Sequence, residues 1–187
     1  MATEAIDISL IKTGQVVSVH LPFKWYKPWR YLGVGIRAFT SSYWSHTSIF
    51  IWVHGHLCVA EADPRVKITP FFDWSRDKII KVSEYVMPQT IVEKRMGHII
   101  MSKQGYTKYD FLSLLFFQPI YQITGIWIGR KHNKNHDARL YCSEYVAWIY
   151  NQYNGMFCDF FKISPGIIAN DNRFRTLYVG LAKKLIK

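Results

Sequence analysis

The order of strand-type and helix-type segments predicts an α+β protein. Segments rich in β-branched and aromatic residues occupy the first half of the chain, and helical periodicity dominates afterwards. Hydrophobic residues make up 49% of the 187 residues and charged residues 20%, a composition typical of a folded globular chain. A chain of this length holds one substantial core, so we expect residues 1–187 to form a single domain.

Short segments with strand composition are expected to form an antiparallel meander sheet packed against helices. Residues 15–20 form the first strand, and residues 47–53 and 57–60 form a hairpin around a two-residue turn at Gly55-His56. Residues 66–72 and 78–83 extend the sheet to about four or five strands. His46 directly precedes the first strand of this hairpin and Glu61 directly follows the second, so both residues lie at the same end of the hairpin.

Three main helices are expected after the strands. Residues 90–103 form an amphipathic helix, and another helix runs from Tyr141 to a stop at Asn154-Gly155. Between them, residues 111–128 are strongly apolar but contain Pro119, which predicts a buried helix that ends or kinks near Gln118 rather than a membrane span. In the helix predicted at residues 90–103, four side chains are expected to face the core: Ile91, Met96, Ile99 and Ile100.

The charge of the chain favours acidic partners. Lys and Arg number 24 against 13 Asp and Glu, which leaves a net charge of +11. Residues 23–31 interleave cations with aromatic rings, a pattern typical of membrane-interface and single-strand binders, although such a loop also serves as packed cover for a cleft. Anionic lipid or a membrane surface is therefore an alternative partner, whereas no motif supports nucleic acid binding.

Cysteine usage indicates a reducing compartment. The three cysteines, Cys58, Cys142 and Cys158, form neither a CxxC pair nor a disulfide framework. The first residues show no secretory signal, so we expect a cytoplasmic protein. A peripheral membrane location and delivery by a phage particle are the alternatives. His54, His56 and Cys58 alternate within the hairpin without an obvious fourth ligand, so no metal site is expected.

Cys142 is the most informative residue, because it lies where an apolar approach gives way to a helical pattern. Free backbone N–H groups and the positive end of the helix dipole stabilise a thiolate at a helix start. The same N–H groups can bind the oxyanion that forms when a thiolate attacks a carbonyl. Glu144 is in the first turn of that helix and would repel an inward thiolate, so its expected role is to stabilise the helix start.

Several short motifs, in order along the chain, resemble the circularly permuted papain-like hydrolases of the NlpC type, in the branch of YiiX-like proteins. The resemblance extends across nearly the whole chain and depends on order and context rather than on any single motif. The matching motifs are Gly-x-Val-Val from Gly14, Ser-His-Thr-Ser-Ile from Ser45, Val-Ala-Glu-Ala from Val59, Gly-Tyr-x-x-Tyr-Asp from Gly105, Cys-Ser-Glu from Cys142 and Ile-Ser-Pro-Gly from Ile163.

This resemblance implies a papain-like site. Cys142 is the implied nucleophile, His46 the general base, and Glu61 the acceptor that orients the imidazole. With the turn predicted above, however, Glu61 lies about 13 Å along the strand from His46, too far for a hydrogen bond. Either a bulge or a longer turn brings Glu61 closer, or Asp63 is the partner; the resemblance favours Glu61.

The expected function is that of a cysteine hydrolase of peptidase or amidase type. It would cleave an amide or ester acyl bond of a peptide or acylated substrate through a thioester, without a cofactor. A lipid-directed acyltransferase or thioesterase on the same Cys-His pair is one alternative. A non-catalytic binding module that uses the basic aromatic face is the other, and nothing in the sequence indicates an oligomeric state.

Overall fold

The computed structural model describes residues 7–20, 34–35, 37–38, 40, 42–86, 89–129 and 139–185. The basic aromatic segment at residues 23–31 lies outside the described residues. One antiparallel sheet with the strand order β4-β3-β2-β1-β5-β6 forms the centre of the molecule. Its strands are β1 (Val16–His20), β2 (His46–Val53), β3 (His56–Ala62), β4 (Val66–Pro70), β5 (Ile79–Tyr85) and β6 (Phe174–Leu181).

Helices cover the sheet and connect its strands. The described part contains α1 (Phe71–Trp74), α2 (Gln89–Met101), α3 (Gln118–Thr124), α4 (Cys142–Asn154) and α5 (Pro165–Asn170). A π-helical turn, Ser113–Phe117, directly precedes α3, and short 3-10 helices are at Ile8–Leu10, Phe160–Lys162 and Ala182–Leu185. The predicted α+β class and antiparallel sheet are confirmed.

The prediction of a simple meander is wrong in two respects. The first four strands, β1 to β4, do follow one another as neighbours, but β5 pairs with the opposite side of β1 instead of continuing from β4. A sixth strand, β6, then pairs with β5 and forms the edge. Exposed residues in β6 interrupt its period-two pattern, and a bulge between Val82 and Ser83 of β5 shifts the register of the β5–β6 pair. These two features explain why β6 was not evident from the sequence.

The hairpin turn lies one residue earlier than predicted. His54 and Gly55 both have positive φ, 49° and 78°, as a type I′ turn requires. Val53 therefore pairs with His56 and Ile49 with Ala60, so Glu61 follows one step beyond the last of these pairs. This register brings Glu61 two residues closer to His46 than the predicted turn would.

Two further boundaries differ from the predictions. The strand predicted at residues 66–72 ends at Pro70, and the helix α1 begins immediately after it, because proline cannot donate to a sheet ladder. The short cationic tail at residues 181–187 predicts a solvated strand or helix end, but the chain continues from β6 into a 3-10 helix whose Ala182 and Leu185 are buried.

Both faces of the sheet are buried. One face packs against α4, which is buried along almost its entire length. The hydroxyls of Tyr145 and Tyr150 in this helix donate to the carbonyls of Ile100 and Gly14, which satisfies both polar atoms inside the core. The opposite face packs against α1 and the C-terminal 3-10 helix. In α2, Met96 and Ile100 are buried as predicted and Ile99 is partly buried.

The apolar run at residues 111–128, called the apolar segment below, differs most from its prediction. The helix does change near Gln118, where the π-helical turn ends and α3 begins with proline in its first turn. The prediction that this helix is buried is wrong, since Leu112 and Phe116 expose 55% and 58% of their surface. Among the described residues, no helix combines the length and apolar character needed to cross a membrane.

Candidate active site

His46 and Glu61 form a buried pair at one end of the sheet. His46 is the first residue of β2, and Glu61 is near the end of the neighbouring strand β3. The His46 Nε2 atom lies 2.8 Å from Glu61 Oε2, so Nε2–H donates to the carboxylate. The ring is thereby held in one tautomer and orientation, and Nδ1 is left for a second partner.

The Glu61 carboxylate is held by further donors. The Trp74 indole N–H and the Ser48 hydroxyl donate to Oε2 at 2.8 and 3.4 Å, and Lys67 Nζ lies 3.5 Å from Oε1. Burial opposes the charged form of Glu61, but the hydrogen bond and charge of His46, with the Trp74 bond, lower its pKa to about 2. Glu61 is therefore an ionised, fixed acceptor at neutral pH.

Cys142 is the first residue of α4, as the sequence predicted for the helix start. Its predecessor Tyr141 has the extended backbone of an N-cap, and its N–H donates to Glu144 Oε2 at 3.3 Å. Glu144 therefore stabilises the helix start as expected. Tyr141 is fixed further by its hydroxyl, which accepts from Gln118 at 2.6 Å and donates to the Phe161 carbonyl at 2.8 Å. The position of the sulfur is thus set by a rigid helix end.

Cys142 and His46 meet at this point. Their side chains are in hydrogen-bond contact, although they are 96 positions apart in the chain. Burial alone would raise the pKa of the Cys142 thiol, but the charge and hydrogen bond of His46 outweigh it and lower this pKa. Burial likewise opposes the imidazolium, but the adjacent thiolate and the Glu61 carboxylate raise the pKa of His46 to about 10. The electrostatics favour a thiolate and imidazolium pair.

Two further donors reach the Cys142 sulfur, and neither role was assigned from the sequence. The Thr47 backbone N–H donates to the sulfur, as does the side chain of Tyr109. Burial and the nearby thiolate raise the pKa of Tyr109 well above its usual range, so its hydroxyl stays protonated. Tyr109 belongs to the Gly-Tyr-x-x-Tyr-Asp motif, which was the only sequence signal for it.

The remaining candidates lie apart from the reacting groups. Asp63 is exposed and 3.6 Å from Lys67, so Glu61 and not Asp63 contacts His46. Asp110 accepts the Ser113 N–H at 3.0 Å and caps the following turn. Cys58 is buried in the sheet and Cys158 is exposed.

Access to the sulfur requires movement of its neighbours, because Cys142 has 0% exposed surface. Its surroundings are polar rather than hydrocarbon, since His46, Tyr109 and the Thr47 N–H all contact it. Two described cavities, of about 350 and 570 Å³, lie at the other end of β2 near the hairpin turn. The residues that line them do not include Cys142.

Replacing Glu61 by glutamine is expected to lower the free energy of unfolding at pH 7 by about 3 kcal/mol. The folded pKa of about 2 lies below the ordinary 4.5, so ionised Glu61 stabilises the fold above pH 4.5. That stabilisation is lost as the pH falls from about 4.5 to 2. Urea unfolding at pH 7 and at about pH 3 should therefore show a smaller difference between the two proteins in acid.

Asp63→Asn is the matched control for this measurement. Asp63 is two residues further along the chain and 63% of its side chain is exposed, so its loss should change stability by less than about 0.5 kcal/mol. Equal effects of the two substitutions would show that the contacts of Glu61 stabilise the fold no more than those of an exposed carboxylate.

The fold and the site together define an α+β protein that carries a Cys-His-Glu arrangement at the start of a buried helix. Among solved structures, the fold is similar to that of the metalloprotein YiiX from Escherichia coli O157:H7, a DUF1105 protein. The similarity has a TM-score of 0.54 and covers 90% of this chain and 97% of YiiX. Because the two sequences are only 17% identical, this likeness shows a shared fold and leaves the activity open.

Comparisons by sequence add nothing to this structural likeness. No protein-family model matches the chain, and a comparison with curated proteins gives no match. The function must therefore be argued from the chemistry of the site.

Proposed function

We propose that this protein is a cysteine hydrolase of the circularly permuted papain-like, NlpC type. It would cleave an amide or ester acyl bond, in the manner of a peptidase or amidase, through a thioester on Cys142. One observation carries the proposal: the His46 ring lies between the Cys142 thiol and the Glu61 carboxylate, within hydrogen-bond contact of both. The order of the motifs along the chain supports the permuted assignment.

The proposed reaction begins with the Cys142 thiolate. Its sulfur attacks the carbonyl carbon of the substrate, and the Nδ1–H of the His46 imidazolium protonates the departing amine or alcohol. Neutral His46 then removes a proton from water, which attacks the thioester and releases the acid. Glu61 accepts the Nε2–H throughout and acts as a positioning residue.

Hydrogen-bond donors beside the sulfur have a second use in this reaction. The Thr47 N–H and the Tyr109 hydroxyl stabilise the thiolate before attack. In the proposed reaction, the same donors would face the substrate oxygen that becomes negatively charged when the sulfur attacks the carbonyl. Such donors stabilise a tetrahedral intermediate because they are already oriented.

The site does not fit a metal ion, although YiiX is called a metalloprotein. Glu61 Oε2 is already engaged by His46, Trp74 and Ser48. His46 Nε2 donates to that carboxylate, which leaves the Cys142 sulfur, one ring nitrogen and Glu61 Oε1, and Lys67 Nζ lies 3.5 Å from that oxygen. Protein metal sites need three or four ligands, and the described residues include no group of three or more His, Cys, Asp or Glu side chains placed to hold a metal.

A non-catalytic binding module is the second candidate, and the complete burial of Cys142 favours it. In that case the Cys142, His46 and Glu61 network would only stabilise the fold. A lipid-directed acyltransferase or thioesterase would use the same chemistry as the hydrolase, with a different acceptor or acyl group.

Selective alkylation distinguishes a catalytic Cys142 from the non-catalytic binding module. A small vinyl sulfone, followed by peptide mass spectrometry, is expected to modify Cys142 at least about tenfold faster than Cys58 or Cys158. The comparison is stringent because Cys158 is exposed whereas Cys142 is buried, so access alone predicts the opposite order. Modification of Cys158 first, with Cys142 unreacted until the protein unfolds, would contradict the hydrolase and support the binding module.

A further inference from the structure

The apolar segment exposes many large apolar side chains to solvent. From Phe111 to Gly129 the chain contains no Asp, Glu, Lys or Arg. The large side chains that expose more than a third of their surface in this part of the chain are Phe111, Leu112, Leu115, Phe116, Ile120, Ile123, Ile126 and Ile128. Contiguous apolar surface of this kind is uncommon on a monomer and marks an interaction site.

Four polar side chains of the apolar segment form hydrogen bonds within the protein, and two of them, Ser113 and Gln118, are buried. Ser113 donates to Asp110, Gln118 to Tyr141, Gln122 to Gln118 and Thr124 to the Ile120 carbonyl. The outward face therefore offers apolar atoms with few groups for directional hydrogen bonds. A protein partner normally forms about one hydrogen bond per 100–200 Å² of interface, whereas the acyl region of a bilayer requires none.

Three cations lie next to the start of this surface. Lys108 forms β-bridges with Arg65 on one side and Arg139 on the other, so the three side chains leave neighbouring backbones on the same side. All three residues are exposed. Lys108 is three residues before Phe111, where the apolar segment begins. The acidic residue nearest to Arg65 in the chain, Asp63, lies 3.6 Å from Lys67, which offsets its negative charge. We call Arg65, Lys108 and Arg139 the cationic row.

The geometry points to a docking surface for an anionic phospholipid bilayer, formed by the apolar segment and the cationic row. The apolar side chains enter the boundary between headgroups and acyl chains, and the cationic row contacts lipid phosphates. The π-helical turn and α3 are together about 18 Å long, well short of the bilayer's hydrocarbon thickness, so the segment lies in the membrane plane. This inference does not depend on the chemistry of Cys142.

The docking surface is joined rigidly to the helix that carries Cys142. Gln118 in α3 donates to the Tyr141 hydroxyl at 2.6 Å, and Tyr141 directly precedes Cys142. The Phe111 ring packs against the Tyr109 ring with centroids 4.6 Å apart, and Tyr109 contacts the sulfur. Membrane docking would therefore hold the start of α4 close to the lipid surface.

Vesicle flotation with the full chain tests this surface. Wild-type protein is expected to float with vesicles of phosphatidylcholine that contain about 30 mol% phosphatidylglycerol, and to bind less in about 1 M salt. A triple variant, Leu112→Gln, Phe116→Gln and Ile123→Gln, should lower the partition coefficient by at least about tenfold. The matched control replaces exposed apolar residues elsewhere: Leu10→Gln, Phe72→Gln and Val86→Gln.

A second variant tests the charge contribution. Neutralising the cationic row with Arg65→Gln, Lys108→Gln and Arg139→Gln should lower binding to the anionic vesicles by at least about tenfold. The control with the same change in net charge carries Arg76→Gln, Lys183→Gln and Lys184→Gln and should lose much less. Circular dichroism checks that each variant is folded.

The outcomes separate a bilayer from other occupants of the surface. Failure of the folded wild type to float, or equal flotation of the apolar triple variant, would overturn the proposal. Light scattering identifies the case in which a second copy covers the surface: a dimer that dissociates in the triple variant, without vesicle binding, would also overturn it. Acyl turnover is not measured, so these results do not depend on the proposed hydrolase activity.

Discussion

Replacing Cys142 by alanine is expected to lower the turnover of an acyl ester by about 10⁴-fold or more. The reason is that the sulfur is the only atom in the proposed site that forms a covalent bond to the substrate. Release of p-nitrophenol from p-nitrophenyl butyrate, followed well beyond one equivalent of enzyme, measures turnover rather than a single thiol acylation. Intact-mass analysis of the quenched wild type should show one butyryl group, located on Cys142.

The other two cysteines provide internal controls for this prediction. Cys58→Ala and Cys158→Ala should leave turnover within about twofold of wild type, because in the described part of the chain the imidazole that is paired with a carboxylate, His46, contacts Cys142. Retention of turnover in Cys142→Ala, or its loss in Cys158→Ala, would remove Cys142 from the reaction.

The second large effect is expected in the pH dependence of Cys142 alkylation by iodoacetamide. The pKa of the Cys142 thiol is lowered by His46, and the pKa of His46 is raised to about 10. Above the lowered pKa of Cys142 the sulfur is a thiolate, so its alkylation rate should level off at a lower pH than that of an ordinary thiol and stay nearly constant while His46 is protonated. An ordinary thiol with a pKa near 8.5 still reacts about tenfold faster for each pH unit below that value.

Substitution of His46 by alanine should remove that plateau. Without the imidazolium, burial is the dominant influence on the thiol and raises its pKa. We expect the alkylation rate of Cys142 at about pH 6 to fall by at least about 100-fold, and to rise with pH as for an ordinary thiol. Alkylation of Cys158 in the same sample should be unchanged, and identical Cys142 profiles in both proteins would contradict the proposed ion pair.

Local composition was sufficient to predict most individual elements. The strands β1, β2, β3 and β5 and the helices α2 and α4 all lie within a few residues of their predicted positions, because β-branched runs and helical periodicity are local properties. The place of β5 beside β1 was not predictable in this way. Strand order depends on contacts between residues far apart in the chain, which no single segment encodes.

An error of one residue in the predicted turn changes the register of the whole hairpin. The dipeptide Gly55-His56 has turn composition, but the chain turns at His54-Gly55. His54 adopts a left-handed conformation there, which is uncommon for a residue other than glycine and therefore was not predicted. The observed turn places Glu61 two positions closer to His46 along the hairpin than the predicted turn would, whereas Asp63 lies beyond the end of β3 and is exposed. Cross-strand packing of residues such as Ile49 and Ala60 determines the register, and packing is a tertiary property.

The amino-acid sequence by itself determined, through composition and period, that this chain folds as an α+β protein, and the family resemblance carried by its motif order marked Cys142, His46 and Glu61. Only the tertiary structure decided that the His46 ring lies between the other two side chains, that Tyr109 and the Thr47 N–H also reach the sulfur, and that the apolar segment faces solvent. The physical reason is that hydrophobicity and conformational preference act locally, whereas hydrogen bonds, pKa values and burial depend on which distant residues the folded chain places in contact.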